Sequence, residues 1–299
     1  MIEITGIKLR NPTILAAGIM GTTAASLVRV AKEGAGAVVT KSIGPQPKEG
    51  HKNPSMVNLG YGFLNAMGLP NPSYYDFSAE LETARSKADV PVIASIFGGN
   101  TEEFVQVAEG LADAGPDAFE LNVSCPHAQG YGASIGCDAC AVEEITGAVS
   151  DMTDLPVWVK LTPNVTDIIS IGEAAQRGGA DAIVAINTVR GMAIDIHSGY
   201  PLLGNRFGGL SGSAVKPVAV KCVYDLYAAL DIPVIGVGGI SCWEDAVEMM
   251  MAGASAVQIG SAVYGGVDVL GSIADGIDSF LADRDLSFDD IIGLAHRRI

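Results

Sequence analysis

Basic residues are scarce in this chain: 18 Lys and Arg stand against 34 Asp and Glu, a net charge of −16 over 299 residues. That deficit argues against a nucleic acid or an anionic membrane as partner, since both are bound through clustered cations. It is compatible with solubility, a salty cytoplasm or a basic partner protein, and does not choose among them. Long apolar runs are missing as well. Nowhere do about 18 uncharged apolar residues follow one another, as a membrane span requires. The opening Met1-Ile2-Glu3-Ile4 has neither the basic nor the apolar region of a secretory leader, so a cytoplasmic location is expected. Cysteine is sparse and odd in number, five in all, which argues for reduced thiols over a disulfide framework. Cys137 and Cys140 form a CxxC without a second pair, which is weak evidence for metal, and no metal site is expected. Cys222 and Cys242 fall in helical or helix-start segments and read as core thiols.

What is present is apolar. Hydrophobic residues make up 48% and charged residues 17% of the chain, enough for a sizeable core and too apolar for disorder. Short β-branched segments, apolar on both faces as buried parallel strands are, occur at 13–17, 37–41, 92–96, 118–122, 157–161, 182–187, 233–237 and 256–260. Amphipathic stretches such as 102–114, 167–177, 215–230 and 243–252 lie between them. Glu33-Gly34-Ala35-Gly36-Ala37, Gly178-Gly179-Ala180-Asp181-Ala182 and Ala252-Gly253-Ala254-Ser255-Ala256 each read as a helix end, a glycine stop and entry into a strand. Eight βα units in this length predict an α/β fold, a closed (β/α)8 TIM barrel, over an open doubly wound sheet. Residues 2–10 resemble a hairpin placed to plug the barrel floor. No linker or charge block divides the chain, so one domain spanning 1–299 is expected. Two connections, 42–75 and 188–213, exceed simple βα turns, and a third, 124–140, is glycine-rich. All three belong to the face where barrels carry chemistry.

Polar residues collect at the ends of the predicted strands. Lys41, Asn122 and Asn187 close three apolar runs, and Lys160 interrupts Val157-Trp158-Val159-Lys160-Leu161. Each is costly to bury unpaired, by several kcal/mol. One alone reads as a residue that snorkels or bonds to backbone; together they point to one site assembled from many strand ends. Val237-Gly238-Gly239-Ile240 and Ile259-Gly260-Ser261 place glycines after the seventh and eighth strands, where barrels cradle phosphate with backbone N–H groups. Gly208-Gly209-Leu210-Ser211-Gly212 adds a flexible strip. A large phosphorylated cofactor across the mouth, its electron-rich end near the lysines, is the expectation. Asn122-Val123-Ser124-Cys125-Pro126 sets an amide, suited to a flat hydrogen-bonding ligand, beside a thiol able to move a proton.

With these residues in hand the chain resembles the class 1 dihydroorotate dehydrogenases over nearly its whole length. The likeness rests on Ala16-Ala17-Gly18, Thr40-Lys41-Ser42, Asn65-Ala66-Met67-Gly68-Leu69-Pro70-Asn71, Asn122-Val123-Ser124-Cys125-Pro126, Val159-Lys160-Leu161, Ile186-Asn187-Thr188 and the three glycine segments just quoted, in order. The resemblance implies FMN on the barrel mouth, one per chain, its phosphate held by Gly238, Gly239, Gly260 and Ser261. Lys160 would approach the flavin N1/C2 end. Ala17, Gly18, Lys41, Ser42, Ser95, Asn122, Ile186 and Gly212 would complete the cofactor contacts. Lys41, Asn65, Asn122, Asn187 and Thr188 would hold dihydroorotate or orotate, helped by the backbone of Met67-Gly68-Leu69. Cys125 would be the catalytic base.

Some positions depart from the family pattern. His127 stands where Asn is usual, Ser95 replaces the flavin-side Asn, and Ala17 replaces a Ser. A thiol base separates the chain from the membrane-associated class, which uses Ser. Pro163-Asn164-Val165-Thr166-Asp167 resembles the type B catalytic subunit, which implies a homodimeric core, or a heterotetramer with an electron-transfer subunit carrying FAD and an iron–sulfur cluster. The rival readings are another FMN barrel reductase acting on a dihydropyrimidine or dihydrouridine, a flavin-free phosphate-binding isomerase or lyase using Lys41 or Lys160, and a non-catalytic binding subunit.

Overall fold

The computed structural model describes residues 2–124 and 135–298. The chain opens on an antiparallel hairpin, β1 (Ile2–Ile4) and β2 (Ile7–Leu9). Its two-residue turn, Thr5-Gly6, takes positive φ at both positions, the conformation that matches strand twist. The barrel strands follow, interrupted twice by pairs of strands that belong to a separate sheet. In chain order they are β3 (Thr13–Leu15), β4 (Ala37–Val39), β5 (Met56–Asn58), β6 (Phe63–Asn65), β7 (Val92–Ile96), β8 (Ala118–Asn122), β9 (Val157–Leu161), β10 (Ala182–Ala185), β11 (Val189–Gly191), β12 (Gly208–Ser211), β13 (Val234–Val237) and β14 (Ala254–Ile259). Eight of them close in the order β10-β13-β14-β3-β4-β7-β8-β9, every pair parallel. This is the (β/α)8 barrel the alternation predicts.

Helices α1 (Ala24–Lys32), α2 (Tyr74–Lys87), α3 (Thr101–Ala112), α4 (Ala139–Met152), α5 (Ile168–Arg177), α6 (Lys216–Ala229), α7 (Trp243–Met251) and α8 (Val269–Ala282) follow the barrel strands in turn. Four starts are sealed by side chains that accept from orphan N–H groups of the first turn: Thr23, Asn100, Asp138 and Asp167.

The two-residue period of the strands sorts the core into two layers. One parity, with Leu15, Val38, Ala94, Leu121, Val159, Ile183 and Ile259, packs outward against the helices. The other, with Ile14, Val39, Ile93, Ala118, Trp158, Val184, Ile235 and Ala256, fills the barrel interior together with Ile4, Ile7 and Leu9 of the hairpin. Trp158 Nε1 donates to Thr5 Oγ1 at 3.0 Å, which ties hairpin to barrel. The hairpin therefore plugs the floor, as the sequence predicts.

Three expected strands match their observed limits: β7, β8 and β9. Others differ at the ends. β3, β4 and β10 each stop two residues early, at Leu15, Val39 and Ala185, whereas β14 begins at Ala254, directly after Gly253. The long connections hold strands that the sequence reading leaves as loops. β5 and β6 from the first, and β11 and β12 from the second, form a four-stranded sheet in the order β11-β12-β6-β5. Leu64, Ala66 and Leu203 make a small separate core beneath it. Cys222 and Cys242 are half-buried, less enclosed than core thiols, and burial is the main cause raising each thiol's pKa.

Candidate functional site

A cavity of about 210 Å³ opens at the C-terminal ends of the barrel strands, beside the four-stranded sheet. Its lining brings together residues from across the sequence. Ala17, Gly18, Lys41, Ser42, Asn65, Met67, Gly68, Leu69, Asn122, Lys160, Ile186, Asn187, Thr188, Gly212, Gly238, Gly239, Gly260 and Ser261 all face it. Two expected residues are placed otherwise. Ser95 is fully buried and does not line the cavity; it lies behind Ser42, with the two hydroxyl oxygens 2.9 Å apart. Cys125, like His127, lies outside the described residues. Ile19, Met56, Leu210, Tyr264 and Gln258 also line the cavity and were not anticipated.

The interior parity explains why these polar groups converge. Continuing the inward series upward from the apolar layer reaches Lys41 after Val39, Ser95 after Ile93, Glu120 and Asn122 after Ala118, Lys160 after Trp158 and Gln258 after Ala256. The lower barrel is thus hydrocarbon and the upper barrel is polar. Buried polar groups there need partners, and they find them in one another. Lys160 Nζ donates to Gln258 Oε1 at 3.0 Å and pairs with Glu120 Oε1 at 3.5 Å. Gln258 Nε2 donates to Glu120 Oε2 at 2.6 Å. Glu120 is fully buried and escaped the sequence reading, although a carboxylate inside an apolar strand is the same signal that drew attention to the lysines.

Above them, Asn122 Nδ2 donates to Ser42 Oγ at 3.0 Å, and Asn187 Nδ2 donates to Ser124 Oγ at 2.6 Å. Asn65 on β6 donates to the Gly209 carbonyl at 3.3 Å, so the mouth sheet positions it. Asn164, from the segment resembling the type B subunit, bridges the mouth by donating to the Thr188 carbonyl at 3.1 Å while its Oδ1 accepts from Arg190 N at 2.8 Å.

The glycine segments form a second pole. Gly238 and Gly239 follow β13 with φ of +129° and +77°. A Cβ on Gly239 would meet the Lys216 backbone nitrogen at 2.7 Å, and one on Gly238 would meet Ala219 Cβ at 2.8 Å. Only glycine lets this turn lie against the start of α6 while lining the mouth. The starts of α6 and α7 are clamped there: Lys216 Nζ lies 2.7 Å from Asp245 Oδ1 and 2.7 Å from Glu248 Oε2. Burial pushes the Asp245 carboxyl up, yet the bond from Lys216 and those from Ser241 outweigh it and bring its pKa to about 2. Asp245, then Glu248, raise the Lys216 ammonium. The cavity can therefore hold a flat ligand at the polar strand ends and a phosphate at the glycine turns. Those features, an open backbone cradle and a buried lysine, fit FMN.

A family model for dihydroorotate dehydrogenase matches residues 1–281. The catalytic subunit of dihydroorotate dehydrogenase B (NAD(+)) from Methanosarcina acetivorans is 68% identical, over 100% of this chain and 97% of that protein. The subunit of the same name from Methanocaldococcus jannaschii is 53% identical, over 98% and 97%. A solved structure, DHODH in complex with ferulenol from Eimeria tenella, matches with a TM-score of 0.84 at 24% identity, covering 99% of this chain and 88% of that one, a likeness of fold.

Proposed function

Because the chain belongs to the dihydroorotate dehydrogenase family, we propose that it oxidises dihydroorotate to orotate in pyrimidine biosynthesis, with FMN in the mouth cavity. The observation that carries this reading is the union, in one cavity, of a glycine cradle with two lysines and three asparagines. Gly238, Gly239, Gly260 and Ser261 hold the FMN phosphate through backbone N–H groups. Lys160 would approach the flavin N1/C2 end, Ala17, Gly18, Ser42, Ile186 and Gly212 would surround the ring system, and Ser95 would act through Ser42. FMN, when bound, supplies the acceptor for the two electrons that leave substrate C6.

The chain's own residues do the rest. Lys41 pairs with the substrate carboxylate. Asn65, Asn122, Asn187 and Thr188 meet the amide-like edges of the ring, and the backbone of Met67-Gly68-Leu69 supports it. Cys125 takes the C5 proton at its sulfur. A thiol's ordinary pKa near 8.5 makes the thiolate the minor form at neutrality. A second subunit carrying FAD and an iron–sulfur cluster would receive the electrons. The M. acetivorans and M. jannaschii relatives, both named as catalytic subunits, support such a partner. The low content of basic residues and the lack, among the described residues, of a helix long and apolar enough to cross a membrane agree with a cytoplasmic enzyme.

Product binding tests the reading. Asn187→Ala should weaken orotate binding about tenfold, the value of one lost ligand hydrogen bond near 1.4 kcal/mol, while keeping its flavin. Unchanged orotate affinity in that variant would transfer the site to a different ring.

A further inference from the structure

Glu120 has no part in the binding scheme above, yet it sits fully buried beneath the mouth on β8. An ionised carboxylate only accepts hydrogen bonds, and that single fact propagates through the site. Gln258 must present Nε2 to Glu120 Oε2, 2.6 Å, which turns its Oε1 to Lys160, 3.0 Å. Ser95 must give its one hydroxyl proton to Glu120 Oε1, 3.3 Å. The Ser42–Ser95 bond, 2.9 Å, is then donated by Ser42. Ser42, its proton so engaged, accepts from Asn122, and the atom facing it must be Nδ2, 3.0 Å. Asn122 Oδ1 is left to accept from Ser124 Oγ, 2.7 Å. Ser124 in turn accepts from Asn187 Nδ2, 2.6 Å, and Asn187 Oδ1 accepts from Thr188 N, 2.7 Å.

We propose that Glu120 is the positioning residue that anchors this chain from below, setting the donor direction of Ser95 and Ser42 and so holding the Asn122 amide, whose oxygen also accepts from Ser124 N at 3.3 Å. The oxygens of Asn122 and Asn187 accept from protein donors, and each amide keeps a second N–H to offer a carbonyl or carboxylate oxygen of the ligand. Through its other arm the same carboxylate holds Lys160 at the cofactor end. This rests on the orotate and FMN reading given above, and it deepens it: one buried group that touches neither ligand orients the residues that touch both.

Glu120→Gln keeps the shape and introduces an NH2 that must donate. It reverses the chain at Ser95 or breaks it at Gln258, and it removes a negative charge beside Lys160. With FMN retained, orotate affinity should fall about tenfold and the flavin midpoint potential should rise, since the reduced flavin is the more negative form. Ser95→Ala cuts the arm that runs through Ser42 and leaves Glu120 paired with Lys160, so orotate affinity should fall about threefold. A Glu120→Gln protein with parental orotate affinity overturns the proposal. So does a Ser95→Ala protein with parental affinity, which decides the matter if Glu120→Gln does not fold. A parent protein that binds neither FMN nor orotate overturns the functional reading instead.

Discussion

Lys160 and Glu120 stand 3.5 Å apart inside the barrel, their side chains 6% and 0% exposed, a buried ion pair at the floor of the cavity. Such a pair is weak evidence of net stabilisation, but removing one partner strands the other as a buried charge, at a cost of about 3–5 kcal/mol. Lys160→Met should therefore lower unfolding free energy by about that amount. Adding Glu120→Gln to it should restore more than half of the loss. Denaturant unfolding of both variants checks this; equal stability of the single and double variants would contradict it.

The clamp between Lys216 and Asp245 carries its own pH signature. Asp245 falls from an ordinary 3.8 to about 2 on folding, so its contribution is present above pH 3.8 and is lost as pH drops through about 2. Lys216 is raised, so its contribution is present below its ordinary 10.5 and is lost only as pH climbs through the higher folded value. Asp245→Asn should cost about 1–3 kcal/mol near neutrality, and its difference from the parent should narrow below about pH 4. Thermal melts across pH measure this. The variant should also release FMN more readily, because the clamp holds the start of α6 against Gly239.

Cys125→Ala should keep its flavin and lose about 100-fold or more in turnover, the usual contribution of a positioned base. Parental turnover should rise with pH towards the thiol's ordinary value near 8.5. Steady-state rates between pH 6 and pH 10 test both statements, and near-parental turnover in the variant would remove Cys125 from the mechanism.

The fold was legible where the chain writes its period in one kind of residue. β7, β8 and β9 are contiguous buried runs, and their limits agree with the sequence reading. The mouth sheet was not legible. Met56–Asn58 and Phe63–Asn65 are three-residue strands of mixed polarity, and β6 pairs with β12 more than 140 residues away, Asn65 opposite Gly209. No local pattern announces such a contact.

The site was read in part. Lys41, Asn122, Lys160 and Asn187 stood out because each ends or breaks an apolar run, and all four line the cavity. Glu120 breaks such a run too, between Phe119 and Leu121, and Gln258 does so in β14. Counting inward parity from Ala118 and Ala256 would have placed both among the lysines' partners. The resemblance implies a cofactor contact for Ser95; its hydroxyl is engaged with Ser42 and Glu120 behind the cavity wall.

The visible spectrum of the purified chain, followed during anaerobic titration with dihydroorotate, tests the central claim most directly. The account predicts a yellow protein with one FMN per chain whose flavin absorbance bleaches stoichiometrically without any partner subunit. A colourless protein that takes up no FMN, or a yellow one that dihydroorotate leaves unbleached, would contradict it.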